Sequence, residues 1–392
     1  MAEAVIVSAC RTPIGRLQGG LSSFSAPQLG SLAIQEAMRR AGVEPGEVDE
    51  VIMGTVLQAG LGQNPARQAQ LGAGIPPEAG AFTVNMVCGS GLKSVMLAAN
   101  EIRLGEAEVI VAGGQESMSN APYLAKGVRT GLRLGDGKLI DAMVLDGLWD
   151  IYNDFHMGMT GELIADRCDV SREEMDAYAV ESHRRAAQAT EQGLFDSEIF
   201  SVEVKGRKGK VTVVEHDEGI RPDASMEGMA KLRPAFQKDG RVTAANASQI
   251  SDGASALVVM SADLAKSRGI EPLARIVDYT TGGTEPKWVM YAPVIAIEKL
   301  LERTGKTIED YGLVELNEAF ASAACAVAKE SGLLPDRTNV NGGAVALGHP
   351  IGASGARILT TLLHAMKQRD VKDGIAALCL GGGNAVAMAV AR

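Results

Sequence analysis

Positive charge is not in surplus here: 38 Lys and Arg face 48 Asp and Glu over 392 residues, for a formal net charge of −10. That balance argues against nucleic acid or an anionic membrane as the main partner. There is no CxxC pair, and five cysteines and five histidines show no zinc-site spacing, so free thiols in a reducing compartment are expected and no metal is required. The start, MAEAVIVSACRTPIG, lacks the basic opening and long apolar stretch of a signal peptide. The longest uncharged apolar segment, Ile375 to Ala391, is broken by Gly381-Gly382-Gly383-Asn384 and is too short and interrupted for a bilayer. Neither GxGxxG after a strand nor a GxxxxGK[ST] phosphate loop occurs. Val390-Ala391-Arg392 is not a peroxisomal ending, which leaves the cytoplasm as the expected location.

What is present centres on VNMVCGSGLKSV, Val84 to Val95, where an apolar run stops at Cys88 and gives way to Gly-Ser-Gly and a helical pattern. A thiol at a helix N-terminus meets unpaired N–H groups and the positive end of the helix dipole, which favour the thiolate. A single cysteine at such a turn is more often a small buried residue, so the reading depends on what converges with it. Two later stretches qualify. NVNGGAVALGHPIGASGAR places His349 in a glycine-rich loop before a helix, and IAALCLGGGNAVAMAVA delivers Cys379 from a strand pattern to three glycines. A nucleophile, a base and a second acid/base group divide the labour of acyl transfer.

In chain order, Ala4 to Ala9 reads as a strand, Leu29 to Ala41 as a helix ended by Gly42, and Val48 to Val56 as a strand. Ala66 to Leu71 reads as a short helix, Ala81 to Met86 as a strand, Ser90 to Leu104 as a helix, and Val109 to Ala112 as a strand ending at Gly113-Gly114. The alternation predicts a layered α/β sheet. The order returns after residue 270: strand Ala274 to Val277, helix Pro293 to Arg303, strand Tyr311 to Leu316, helix Gly352 to Lys367, strands Ile375 to Leu380 and Val386 to Val390. Aligning Val51 with Leu313 gives an offset of 262, and Cys88 with His349 gives 261. This suggests a duplicated domain with thiol and imidazole at corresponding helix starts, the alternative being two unrelated α/β halves.

The strand counterpart of Val386 to Val390 in the first half is Ala256 to Met260, far downstream of Val109 to Ala112. An excursion of that length is expected to be an inserted subdomain. The predicted division is 1–115 with 252–270 as an N-terminal core domain, 116–251 as an inserted loop domain, and 271–392 as a C-terminal core domain. Within the insertion, Gly131 to Ile140 reads as a hairpin with a tight Asp136-Gly137 turn that could serve as an oligomer arm. His156-Met157 opens a helix, and Ser171-Arg172-Glu173-Glu174 is a capping box at the start of a long amphipathic run to Gln192. The basic run Lys205 to Lys210 could attract a phosphorylated ligand, although a solvated hairpin turn is the favoured reading.

The four stretches VNMVCGSGLKSV, ELNEAF (Glu315 to Phe320), NGGAVALGHPIGASGAR and CLGGGNA together closely resemble thiolases, in the family's order and over essentially the whole chain. The resemblance implies the duplicated thiolase fold with an inserted CoA-binding loop domain. It implies that Cys88 takes an acyl group from acyl-CoA as a thioester while His349 accepts its proton, and that Cys379 moves the α-proton of a second acetyl-CoA. It assigns the enolate oxygen to His349 and a water held by Asn317, and the acyl-enzyme oxyanion to the N–H groups of Cys88 and Gly381. Leu148, Arg221, Phe236, Ser248, Ala319 and Phe320 match CoA- or acyl-contacting positions. His156-Met157 is similar to the pair lining the pantetheine and acyl pocket of short-chain, biosynthetic members. Trp288 to Pro293 departs from the family's usual Met-Gly-x-Gly-Pro stretch and reads as one residue shorter, at the wall of that pocket.

The implied reaction is condensation of two acetyl-CoA to acetoacetyl-CoA and CoA, and its reverse, with CoA part of the substrate and no further cofactor or metal. A homotetramer built through the hairpin is implied too. The alternatives are a broader-chain 3-ketoacyl-CoA thiolase of degradation and, from another class, a non-catalytic CoA- or lipid-binding relative. Cys10, Cys168 and Cys325, with His183, His216 and His364, are expected to be structural.

Overall fold

The computed structural model describes residues 2–206 and 209–392; Arg207 and Lys208 of the basic run lie outside the described residues. Nine strands form one path: β1 Ala4–Arg11, β2 Glu50–Gly54, β3 Gly80–Val84, β4 Val109–Ser117, β5 Ser251–Ser261, β6 Ala274–Gly283, β7 Leu313–Leu316, β8 Asp373–Leu380 and β9 Asn384–Ala391. Their order is β7-β8-β9-β6-β1-β5-β4-β2-β3, with the two-residue strand Gly15–Arg16 beside β5. Read outward from the β1–β6 seam, the two halves repeat one pattern. β1-β5-β4-β2 on one side matches β6-β9-β8-β7 on the other, antiparallel twice and then parallel. Even the irregularities correspond, with a register shift between Ile6 and Ser8 in β1 and between Ile276 and Asp278 in β6.

Strand side chains alternate between two cores, as a pleated ribbon requires. Ile6, Ile110, Leu257 and Leu378 face a central core built on helices α3 (Ser90–Leu104) and α8 (Ser354–Gln368). Val5, Val109, Val111 and Val258 face α1 (Ala26–Ala41) and α2 (Pro65–Gly72). Ile375 and Ala377 face α6 (Ala292–Thr304) and α7 (Ala321–Ser331). The result is five layers, with the α3/α8 layer shared by both halves. Every residue from Ser354 to Leu363 is buried, because α8 meets sheet on one side and α3 on the other. Close approach of the two helices depends on glycine: a Cβ at Gly91 would lie 2.7 Å from Ala356 N, and one at Gly355 2.5 Å from Leu92 N.

That contact corrects the expected correspondence of thiol and imidazole. The two helices start at Ser90 and Ser354, an offset of 264, so the residue standing where Cys88 stands is Gly352, and His349 precedes it by three. A second correction concerns Gly113-Gly114, which do not end their strand. β4 continues to Ser117, and the missing side chains let neighbours close in, since a Cβ at Gly114 would lie 2.1 Å from Gly352 O.

The chain leaves the sheet after Ser117 and returns at Ser251. Between them, α4 (Met157–Arg167) and α5 (Arg172–Glu191, capped by the Ser171–Glu174 box) pack on α7. The intervening segment is tied to β1 by a buried ion cluster: Arg11 Nε donates to Glu198 at 2.6 Å, and its two terminal nitrogens donate to Asp217 at 2.7 and 2.9 Å. The expected hairpin at Gly131 to Ile140 is different in kind. The ladder pairs Tyr123–Leu124 with Ile140–Asp141, and 131–139 lies within the 125–139 connection between them, with Gly135 rather than the Asp136-Gly137 pair in the left-handed region at φ 86°.

Candidate active site

The nucleophile candidate sits on a strained turn. After β3 the chain passes through Val87 at φ 46°, a conformation that costs a β-branched residue about 1–3 kcal/mol. The Ser90 hydroxyl holds the turn, donating to Val87 O at 2.6 Å and accepting from Met86 N at 2.9 Å. Cys88 therefore projects into a cavity of about 510 Å³ that His349, Cys379 and Gly381 also line. β8 delivers Cys379 and then Gly381, and β7 runs into Asn317, whose Nδ2 lies 3.5 Å from His349 Nε2. Asn317 Oδ1 is buried and takes no hydrogen bond from a described residue.

The state of His349 follows from counting protons. The single hydroxyl proton of Ser354 goes to Pro350 O at 2.9 Å, while the same oxygen lies 2.5 Å from His349 Nδ1. Ser354 therefore accepts from Nδ1–H, and Nε2 carries the lone pair that faces the cavity. Burial, with the charge of Arg357 second, pushes the imidazole down to about 3, so it is neutral and basic at Nε2. Between that value and the ordinary 6.5 the unfolded chain binds the extra proton, so this group's contribution to stability is lost as pH falls through the window.

The thiols correct an expectation. Burial pushes Cys88 well above its ordinary value, with Cys379 adding to the shift, and the N–H groups of Gly381 and Cys88 itself pull back only in part. Cys379 is pushed up to about 12 by burial. The helix N-terminus does not outweigh desolvation, so Cys88 rests as a thiol that a base must deprotonate.

Leu148, His156, Met157, Phe236, Ser248, Ala319 and Phe320 line the same cavity. His156 stacks on Phe236 at 4.8 Å, Phe236 meets Phe320 edge-on at 6.3 Å, and His156 Nδ1 accepts Gly158 N–H at 3.0 Å to cap α4. Arg221 is not on this wall; it is exposed, and its N–H donates to His183 Nδ1 at 3.1 Å. All five cysteines are free thiols; Cys10 and Cys168 are buried and Cys325 is partly so. His183 and His364 are bonded to Arg221 N and Ala9 O, but His216, expected to be structural, is exposed on the 211–217 segment. Among the described residues no group of three His, Cys, Asp or Glu could hold a metal ion.

Val87 and Ser354 had no role in the motif reading, and Val289 and Met290 entered it only as part of the departing Trp288 to Pro293 stretch at the pocket wall. Val289 and Met290 line the cavity, buried at 1% and 2% exposure, and Cys379 Sγ lies 3.7 Å from Met290 Sδ.

Comparison with known proteins agrees throughout. The chain matches the family described as thiolase, N-terminal domain, over residues 4–263 and that described as thiolase, C-terminal domain, over 270–392. It is 53% identical over 392 residues to an acetyl-CoA acetyltransferase of Cupriavidus necator and 49% identical over 392 to a probable acetyl-CoA acyltransferase of Staphylococcus aureus, covering 100% of each chain in both cases. The crystal structure of the Bacillus anthracis acetyl-CoA acetyltransferase superimposes with a TM-score of 0.98 at 44% identity, over 100% of this chain and 99% of that one. With two family matches that together span nearly the whole chain, full-length relatives and one layered fold in agreement, the chain belongs to the thiolase family.

Proposed function

We propose that the protein is an acetyl-CoA acetyltransferase that joins two acetyl-CoA into acetoacetyl-CoA and CoA, and reverses the reaction. The observation that carries this reading is the meeting of Cys88, the Nε2 lone pair of His349, Cys379 and the N–H groups of Cys88 and Gly381 at one cavity. Cys88 Sγ attacks the thioester carbonyl as His349 Nε2 takes its proton, and the two N–H groups receive the developing oxyanion. The C–S bond to CoA breaks, and Cys379 gives its proton to the departing sulfur. The thiolate left at Cys379, a stronger base than an ordinary cysteine's because burial disfavours it, removes the α-proton of the second acetyl-CoA. Protonated His349 and Asn317 face the enolate oxygen. The enolate carbon then attacks acetyl-Cys88, a C–C bond replaces the C–S bond, and His349 returns the proton to Cys88. The enzyme ends in its starting protonation state, with CoA carrying the proton Cys379 gave up and Cys379 carrying the α-proton in its place.

The His156–Phe236 stack, Met157 and Phe320 crowd the cavity and favour a short acyl chain over the broader substrates of a degradative thiolase. Leu148, Ser248 and Ala319 complete the wall for acyl group and pantetheine, and Arg221, outside it, is assigned to the outer part of CoA. CoA enters as substrate and no other cofactor is invoked. Incubation with acetyl-CoA alone is expected to leave one acetyl group on Cys88 by intact mass and peptide mapping, at a rate with no inflection near pH 6.5. Label on Cys379, or none after rapid trapping, overturns the assignment.

The finer reading includes a cytoplasmic homotetramer. Its support is five free thiols and a projecting arm whose Leu132, Leu134 and Leu139 are 57%, 99% and 70% exposed. An arm so apolar is expected to be covered by another copy. Light scattering is expected to give a tetramer for the intact chain and dimers when 131–139 is shortened; a shortened chain that stays tetrameric removes the arm's role.

A further inference from the structure

The wall beside Cys379 is pinned at several points. The segment 284–291 starts from Thr284, whose N–H donates to Gly383 O at 2.7 Å, so it is tied to the turn that follows Cys379. On its outer side Arg167 stands over both Trp288, at 4.8 Å, and Tyr291, at 4.0 Å, and Tyr291 donates to Glu330 at 3.2 Å. Between these two pinned aromatics, Val289 and Met290 turn inward. Met290 ends with its thioether in van der Waals contact with the Cys379 sulfur. A methionine usually adapts to what enters a site, but this one is held at both flanks.

We propose that Met290 decides what the α-carbon of the nucleophilic acyl group can carry: an acetyl carbon is admitted and one bearing an additional methyl is rejected. The inference rests on the assignment of Cys379 as the group that moves the α-proton. A carbon close enough to give its proton to Sγ presents its remaining substituents to the side chains beside Sγ, and the Met290 thioether is in direct contact with it. The carbon chain held on Cys88 grows from a different atom. Met290 therefore acts on branching next to the thioester and not on acyl length.

Thiolysis of acetoacetyl-CoA, 2-methylacetoacetyl-CoA and 3-oxohexanoyl-CoA tests this, each read as kcat/KM. The unaltered protein is expected to prefer acetoacetyl-CoA to its 2-methyl analogue by at least about tenfold, the usual worth of one methyl in a tight apolar pocket. Met290→Ala is expected to shrink that ratio by about tenfold or more, while the ratio for 3-oxohexanoyl-CoA moves by less than about twofold. Met290→Leu, similar in volume and without sulfur, is expected to keep the original preference. An unaltered protein that cleaves both four-carbon backbones equally well overturns the proposal without any variant. So does a folded Met290→Ala that keeps the preference or relaxes for both analogues alike. No thiolysis of acetoacetyl-CoA by the unaltered protein would instead overturn the proposed function itself, and acetyl trapping on Cys88 separates the two failures.

Discussion

Cys379→Ala is expected to abolish condensation and thiolysis while acetyl exchange between acetyl-CoA and a CoA analogue survives. In the proposed mechanism acylation of Cys88 uses the Nε2 lone pair of His349 and the N–H groups of Cys88 and Gly381, none of which the substitution removes. CoA thiolate is stable enough to depart unprotonated, so the missing acid at 379 slows exchange without stopping it. Carbon–carbon chemistry has no such escape, because the α-proton of a thioester is held tightly and the base placed for it is gone. Removing a positioned acid/base group costs about 100- to 10,000-fold, and carbon acids lie at the upper end. Cys88→Ala is expected to lose both activities. A folded Cys379→Ala that loses exchange as completely as thiolysis would refute the division of roles between the two thiols.

Arg11→Leu is expected to destabilise the fold by about 3–5 kcal/mol, the usual cost of breaking a buried ion pair by removing one partner. Arg11 is fully buried between Glu198 and Asp217, and its guanidinium lies 5.2 Å from the Phe195 ring centre. Burial opposes its charge, and the two carboxylates overcome that and hold it firmly protonated. Removing the cation leaves two carboxylates with an unmet charge where the inserted segment meets β1. The midpoint of urea unfolding measures the loss. Replacing all three residues together by apolar ones of similar volume is expected to recover most of it, since no charge is then stranded. A loss below about 1 kcal/mol for Arg11→Leu alone would mean that the cluster is hydrated in solution, contrary to its burial.

Local chemistry was readable wherever one residue type settles one local geometry. α3 begins at Ser90 and ends at Leu104 as its pattern predicts, because Gly105 reverses the chain at φ 77°. Gly42 ends α1 at φ 63°, and Ser171 caps α5 as its box requires. Cys88, His349 and Cys379 were legible because each stands where an apolar run breaks into glycine, and the structure gathers all three at one cavity. Other features depend on partners far away in sequence. Gly113-Gly114 read as a strand end, yet Gly114 accommodates the loop at Gly352, in the other half of the chain, and Gly113 the neighbouring strand at Ser255. The thiolate expectation considered the helix dipole alone, whereas desolvation depends on the whole enclosure. The Trp288 to Pro293 stretch stood out at the pocket wall, but nothing singled out Met290 within it, since a methionine there looks the same whether it fills a core or touches the Cys379 sulfur.

The shared α3/α8 layer has a consequence for how the chain is made. One face of α3 lies on the strands of its own half, and the face carrying Gly91 and Leu92 is covered by Gly355 and Ala356 of α8. Along the seam between the halves, β1 and β6 are joined only through Val5–Arg275 and Ile6–Ala274. During vectorial synthesis α3 emerges from Ser90 onward, whereas the matching turn of α8 waits for Ser354. At ~5–20 residues per second that interval is roughly 13–50 s, during which the first half displays the face of α3 that α8 will cover. A chain cut before Ser354 is thus expected to expose that face of α3 and to aggregate, rather than fold as a smaller enzyme.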